Sequence, residues 1–386
     1  MMGIINSPYK ALTMKKISIA LIFVSLGLAL YSLFTYLAYF SSGLDIFRVW
    51  EIHRFFPVPT WAKTFPEFIA ERGGDVFFRT DFDRFNLTGK ALWFLGIYLF
   101  VFSYFCAGIG ISRLTLEEKR GDPFYPFLDA LKESFKKSGL FITTTLTLLS
   151  SFLLLLFFHL LFSFTANFKP LFYPTAIILF LAFPFLFILS AMFLYMLVGF
   201  LVGIIYGPIT ATSFEGDTFD IFYEGFTVLN ERPFKALFLE LLNLIVSLVV
   251  FSAFSFLFLR AVLLTSKILT FFAPSLKFLL YPNIDLGSLP QLHPYLSNFL
   301  SFILPKEFLV FVGTPIPTPL TDAYSKILSL WYVFTLILCL AVFVSLSWTG
   351  RVFVYRELVK DKDGIDIFSI KPKLLNFKEE AKSESD

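Results

Sequence analysis

The residues whose types and spacing set them apart are acids and bases that recur at a fixed interval. Asp122, Asp129 and Lys137 are matched 95 residues later by Asp217, Glu224 and Arg232. Gly108, Thr115, Phe124, Phe127 and Ala130 are matched in the same register by Gly203, Thr210, Phe219, Phe222 and Gly225. A carboxylate so placed has two chemistries open to it. It can accept hydrogen bonds from the unpaired N–H groups at a helix start, or, in a cluster, it can bind a cation. Glu215, Asp217, Asp220 and Glu224 form such a cluster, but their spacing is not that of an EF-hand loop, and capping already accounts for Asp217. Asp122, Asp129, Asp217, Asp220, Glu224 and Arg232, with the later acids Asp363 and Asp366, are therefore candidate structural or interaction residues. None is a candidate for catalysis.

Other chemistry is thinly represented. His53, His159 and His293 are the only histidines and belong to different segments, so they make no metal-ligand pattern. Cys106 and Cys339 lie inside apolar runs, with no Cys-x-x-Cys pair. The chain has no H-E-x-x-H, G-x-S-x-G or Walker sequence. Asp75, Asp81 and Asp83 are interleaved with Arg72, Arg79 and Arg84, as salt-bridged packing requires. His159 falls about 28 Å along its apolar run, near one interface. Arg260 and Glu240 lie near the ends of another, where long side chains reach water. No enzyme, metal or cofactor is indicated.

The elements that must position these residues are membrane spans. Hydrophobic residues make up 57% of the chain and charged residues only 16%, against about 25% charged in soluble domains. The mean hydropathy is +0.76. A surface built from this composition cannot be covered with polar groups in water. The 55 phenylalanines supply lipid-facing bulk, and the net charge of +3 is too small to argue for nucleic acid. Apolar runs of the length needed to cross a bilayer occupy 17–40, 91–112, 140–165, 172–203, 236–264 and 327–349. The first follows Lys15 and Lys16, is too long for a signal core and lacks a cleavage site, so it reads as an uncleaved anchor. The expected fold class is all-α: a polytopic transmembrane helical bundle of about six spans, with amphipathic interfacial elbow helices and two large outer loops.

Placement of Lys and Arg orients the spans. With the 1–16 tail inside, the inner segments (that tail, elbows 113–139 and 204–235, and the 351–386 tail) carry 19 of the 32 Lys and Arg residues. Both termini are thus expected on the cytoplasmic side. The outer loops span 41–90 and 266–325. The first mixes charges and aromatics as a small folded cap would, and the second is apolar and punctuated by prolines. In the fourth run Pro184 is expected to kink the helix and Gly207-Pro208 to end it, with a two-helix hairpin as the alternative.

Each elbow is expected to begin with a capping aspartate, Asp122 followed by Pro123, or Asp217. Phe124, Phe127, Leu128, Leu131 and Phe135 then form one apolar face, as do Phe219, Phe222, Tyr223, Phe226 and Leu229. Asp363-Gly-Ile-Asp-Ile-Phe368 resembles Asp217-Thr-Phe-Asp-Ile-Phe222 and reads as a partial third copy.

Residues 208–220, with their small-residue run, Glu215-Gly216 and Asp217-Thr-Phe-Asp220, continue to Arg232-Pro-Phe234. This stretch resembles a segment of uncharacterised bacterial polytopic inner-membrane proteins, departing from it at Tyr223-Glu224, where those proteins carry Ser-Arg. Tyr355-Arg-Glu-Leu with Asp363-Gly-Ile-Asp366 resembles the tail of membrane domains of the YciC or glycerophosphodiesterase-membrane-domain type. The resemblance implies a bacterial inner membrane and supplies no activity. The expected partners are the lipid bilayer and a membrane protein or a second copy of the chain. The expected role is a non-enzymatic scaffold or accessory subunit, with a permease-like or lipid-handling transport component as the alternative.

Overall fold

Runs of apolar residues fold as helices wherever backbone groups must be satisfied without water. The computed structural model describes residues 2–47, 49, 57, 59, 84–166, 172–214, 217–272 and 319–369. Among them the elements are α1 (Met2–Ile5), α2 (Ser7–Ala11), α3 (Met14–Ser41), α4 (Leu87–Arg120), α5 (Phe127–Lys136), α6 (Gly139–Ala166), α7 (Phe172–Ser213), α8 (Thr218–Glu231), α9 (Pro233–Phe272) and α10 (Pro319–Asp363). No strand occurs among the described residues. The chain is all-α and polytopic: α3, α4, α6, α7, α9 and α10 supply six stretches long and apolar enough to cross a membrane.

Several helices outrun the apolar core they would cross. About 20 residues suffice for a bilayer, whereas α7, α9 and α10 have 42, 40 and 45. The extra turns of α4 and α10 carry charge, from Arg113 to Arg120 and from Arg351 to Lys362. The 266–325 segment is accordingly shorter than expected at both ends, where α9 continues to Phe272 and α10 starts at Pro319. The remainder of that segment, and most of 41–90 with His53, Asp75, Asp81 and Asp83, lie outside the described residues, as do His293 and Glu215.

The fourth span is one helix and not the alternative hairpin, but it differs from expectation at its end: it runs past Gly207-Pro208 to Ser213, with both Pro184 and Pro208 inside it. A proline removes one backbone hydrogen bond and costs about 3 kcal/mol in an exposed helix. Here Ile209, Thr210 and Ala211 are almost wholly buried, and that packing holds the helical path. The hydroxyls of Thr212 and Ser213 donate back to the carbonyls of Pro208 and Ile209 at 2.9 and 2.7 Å.

By internal contacts the chain divides into two compact units. One comprises Met1–Lys10, Phe105–Leu244 and Ser347–Asp386; the other comprises Ala11–Tyr104 and Ile245–Leu346. In the second unit, Ala38, Tyr39, Val49, Phe85 and Trp93 form one core, and Ala11, Val342 and Leu346 another. Asn86 starts α4: its side chain donates to the Ser41 carbonyl and accepts from the Gly89 N–H, both at 2.6 Å.

The first unit holds both elbows. Its core gathers Ile4, Leu116, Tyr206, Ile209, Val228, Leu239, Val352 and Tyr355. Helix α8 lies against the glycine row of α7 at Gly199, Gly203 and Gly207. A methyl group at Gly225 would stand 2.7 Å from the Gly199 carbonyl oxygen and 3.3 Å from the Gly203 nitrogen. Only hydrogen side chains permit backbones this close. Gly108 plays a similar part on α4, where the Trp348 indole occupies the space a Cβ would take.

Candidate functional site

Charge in the first unit is concentrated where α4, α5 and α7 end. A helix leaves its last four carbonyls without intrahelical partners. All four of those of α7 are satisfied, and three of the donors are cations from other helices. The Thr210 carbonyl accepts from the Phe214 N–H at 3.1 Å. Lys137 donates to the Ala211 carbonyl at 2.6 Å, Arg113 to Thr212 at 3.4 Å and Arg120 to Ser213 at 3.4 Å. Arg120 also donates to the Ile367 carbonyl at 3.2 Å, tying down the segment after α10. Positive groups at a helix C-terminus are favoured by the helix dipole as well as by hydrogen bonding.

Two carboxylates hold these cations in place. Glu117 reaches Arg113 and Arg120, each at 3.2 Å. Glu133 of α5 reaches Arg113 at 3.2 Å and Lys137 at 2.9 Å. All five side chains are less than 20% exposed. Three cations and two anions leave one net positive charge beside the negative end of α7. The cluster is a helix cap built from side chains. It offers no nucleophile, and its carboxylates are committed to cations.

The eight residues singled out by sequence do not converge on one site. Asp217 is a helix cap: its carboxylate accepts from the N–H groups of Phe219 and Asp220 at 2.8 and 3.1 Å. Asp220 closes the capping box by accepting from the Asp217 N–H at 2.9 Å. Asp122 is not a helix cap. Helix α5 starts five residues later, at Phe127, with Pro126 at the N-cap position. Proline disfavours helical backbone at the residue before it, and Pro126 lacks the N–H that would make the first intrahelical bond to the Asp122 carbonyl. Asp122 keeps only the first element of the motif, accepting from the Phe124 N–H at 3.1 Å. Asp129 makes a surface contact with Lys132 at 3.7 Å.

The others pair across helices. Glu224 of α8 meets Lys362 of α10 at 3.3 Å, and Lys362 also meets Asp363 at 3.3 Å. Burial raises the pKa of the Glu224 carboxyl, a shift its lysine partner opposes. Arg232 is the C-cap of α8, and Asp361 lies 3.7 Å from it and 2.8 Å from Lys235. Asp366 pairs with Arg356 through both oxygens, one at 2.8 Å. The hydrogen bond from Arg356 holds its carboxyl below the ordinary value. Asp366 also accepts from the Phe368 N–H at 3.1 Å. The third Asp-x-Phe turn is therefore centred on Asp366, three residues beyond the register expected from Asp363.

Arg113, Glu117, Arg120 and Glu133 are not singled out by the sequence, because an apolar run ends at Ser112 whereas the helix itself continues to Arg120. The signal was present. Arg113, Glu117 and Arg120 are spaced four and three apart, the spacing of one helical face. Glu240 also has a partner that its sequence neighbours do not reveal: Arg351, at 3.4 Å.

No family model, curated protein or solved structure matches the chain. Among the described residues no group of three or more His, Cys, Asp or Glu side chains is disposed to hold a metal. Cys106 and Cys339 are buried free thiols. His159 is exposed on α6, with one ring nitrogen 2.9 Å from the Leu155 carbonyl and the other 3.4 Å from the Ser190 hydroxyl of α7.

The surfaces of α5 and α8 complete the site. On α5, Ala130 and Ser134 are buried, Leu128 and Phe135 are exposed apolar residues, and Asp129, Lys132 and Lys136 are exposed charges. At 100° per residue these sets occupy three separate sectors. On α8, Ile221, Gly225 and Val228 are buried, Phe219 and Tyr223 are exposed aromatics, and Asp220 and Glu231 are exposed charges. The exposed pair Phe124 and Leu128 stands 95 residues before Phe219 and Tyr223, and the basic C-cap Lys137 stands 95 before Arg232.

Proposed function

We propose that this chain is a non-enzymatic scaffold or accessory subunit of a membrane complex. It would sit in a bacterial inner (cytoplasmic) membrane with both termini on the cytoplasmic side. The observation that carries the reading is how the buried charge is used. Arg113, Glu117, Arg120, Glu133 and Lys137 are committed to one another and to the end of α7, an arrangement that fixes helices and exposes no reactive group. In the most apolar stretches of α6 and α7, only 11% and 17% of the residues are buried, so most of their apolar side chains are not enclosed among the described residues. That surface is available to lipid, to a membrane-protein partner or to a second copy.

The three-sided elbows support an interfacial position for α5 and α8: one sector against the protein, one apolar toward acyl chains, one charged toward headgroups and water. The excess of Lys and Arg in the same segments supports the orientation. So does the resemblance of 208–234 to bacterial inner-membrane proteins. The two elbows, alike at their aspartates, exposed aromatics and basic caps, support an internal duplication. Duplication is the one feature that favours the alternative, a transport component.

Reconstitution separates the two readings. The purified chain in proteoliposomes should leave proton, potassium and glycerol 3-phosphate permeability at the level of empty vesicles. Native mass spectrometry of mild-detergent extracts should show it in a complex of fixed stoichiometry. Protein-dependent flux of any of the three solutes would overturn the scaffold reading.

A further inference from the structure

An open pocket of about 370 Å³ lies between the N-terminal segment, the end of α4 and the last part of α10, lined by Gly3, Asn6, Tyr9, Lys10, Lys119 and Phe353. Its volume falls in the range of about 300–1,000 Å³ typical of small-molecule sites. The segment that walls it is three-sided, like the elbows. Ile4, Ser7 and Ala11 are buried, Ile5 and Tyr9 are exposed apolar residues, and Asn6 and Lys10 present polar groups. Gly3 sits directly on the Phe353 ring, and the Ser7 hydroxyl donates to the Ile4 carbonyl at 2.7 Å, so the wall is anchored.

Among the described residues the charges of the pocket do not cancel. Lys10 is held by Glu118 at 2.7 Å, which neutralises that carboxylate and fixes the ammonium at the rim. Lys119 lies over the Phe353 ring at 5.2 Å, and no carboxylate among the described residues is within ion-pair distance of it. The Lys119 ammonium, an amide donor at Asn6 and an exposed Tyr9 ring thus line one open space among the described residues.

We propose that this pocket binds a phosphate-bearing group. The phosphate would lie between Lys119, Lys10 and Asn6, with the apolar part of the ligand along Tyr9 and Ile5. In a multi-pass membrane protein the molecule that offers a single anionic phosphate beside apolar chains is an anionic phospholipid. Soluble phosphate esters share the headgroup chemistry. The inference rests on the membrane reading and not on the scaffold role, so absence of lipid binding would leave that role standing.

The test uses the full chain in mild detergent, with lipid adducts counted by native mass spectrometry. Phosphatidylglycerol should bind as one retained adduct in preference to phosphatidylcholine of the same chain length. Lys119→Gln, at an exposed position, should weaken retention roughly fivefold, as expected for one lysine at an anionic surface. Lys132→Gln, on the exposed side of α5, should leave it unchanged. An unchanged melting midpoint for Lys119→Gln establishes that the loss is local. Lys119-dependent displacement of the adduct by millimolar glycerol 3-phosphate would support the phosphate site and assign its ligand to the soluble source. Retention that is equal for the two lipids, or insensitive to Lys119→Gln, overturns the proposal.

Discussion

Alanine at position 225 would place a methyl group 2.7 Å from the Gly199 carbonyl oxygen and 3.5 Å from the Gly203 Cα. Both obstacles are backbone, so no side-chain rotation relieves the contact. Ordinary van der Waals separation begins near 3.4 Å, so α8 must retreat from α7 by about 0.7 Å, an overpacking that typically costs about 1–3 kcal/mol. The retreat also loosens Ile221 and Phe226, whose side chains rest on Gly203, Gly207 and Gly199. Gly139→Ala is the matched control: a Cβ there meets nothing within 4 Å, and alanine favours a helix by up to about 1 kcal/mol over glycine. Thermal unfolding in mild detergent should therefore give a midpoint several degrees lower for Gly225→Ala and unchanged or higher for Gly139→Ala. If Gly225→Ala melts with the wild type, the close approach of α7 and α8 is not a constraint on the fold, and the reasoning fails.

Two further predictions concern the aspartates. Asp217→Ala removes the carboxylate that accepts from the Phe219 and Asp220 N–H groups and should cost about 1 kcal/mol, whereas Asp122→Ala removes one turn hydrogen bond outside any helix and should cost a fraction of that; equal losses in detergent unfolding would contradict the different starts of α8 and α5. The Asp366 carboxyl is held below its ordinary value by Arg356, so its stabilisation is complete above the unfolded value of about 3.9 and is lost as pH falls through the lower folded value. Glu224, raised by burial, acts with the opposite sign and favours the folded state as pH falls from its raised value toward the ordinary one. An unfolding series from pH 6 to pH 3 should show Asp366→Asn with a shallower acid loss than the wild type, and identical slopes would refute the pairing.

The spans were legible in the sequence because the rule that makes them is coarse: about 20 apolar residues leave the chain no other way to satisfy its backbone. The helix ends were less so. Pro208 reads as a terminator when only the local rule is applied, and it is overridden by burial of Ile209 and Ala211, which no local window contains. Asp122 and Asp217 align without a gap, yet only one caps a helix, because Pro126 stands where the second copy has Ile221. The charged cluster was the largest omission. Arg113, Glu117 and Arg120 share a helical face, but their meaning depends on the last carbonyls of α7, almost a hundred residues later in the chain.

That separation has a consequence for the order in which the molecule is made. Synthesis delivers α4 and α5, with their three cations and two carboxylates, well before α7 exists. When the end of α7 emerges, Lys137, Arg113 and Arg120 already stand where the Ala211, Thr212 and Ser213 carbonyls must go. The segment 113–137 thus carries the donors that the end of α7 takes up. Arg120, which also takes the Ile367 carbonyl, keeps one bond in reserve until the described chain is nearly complete.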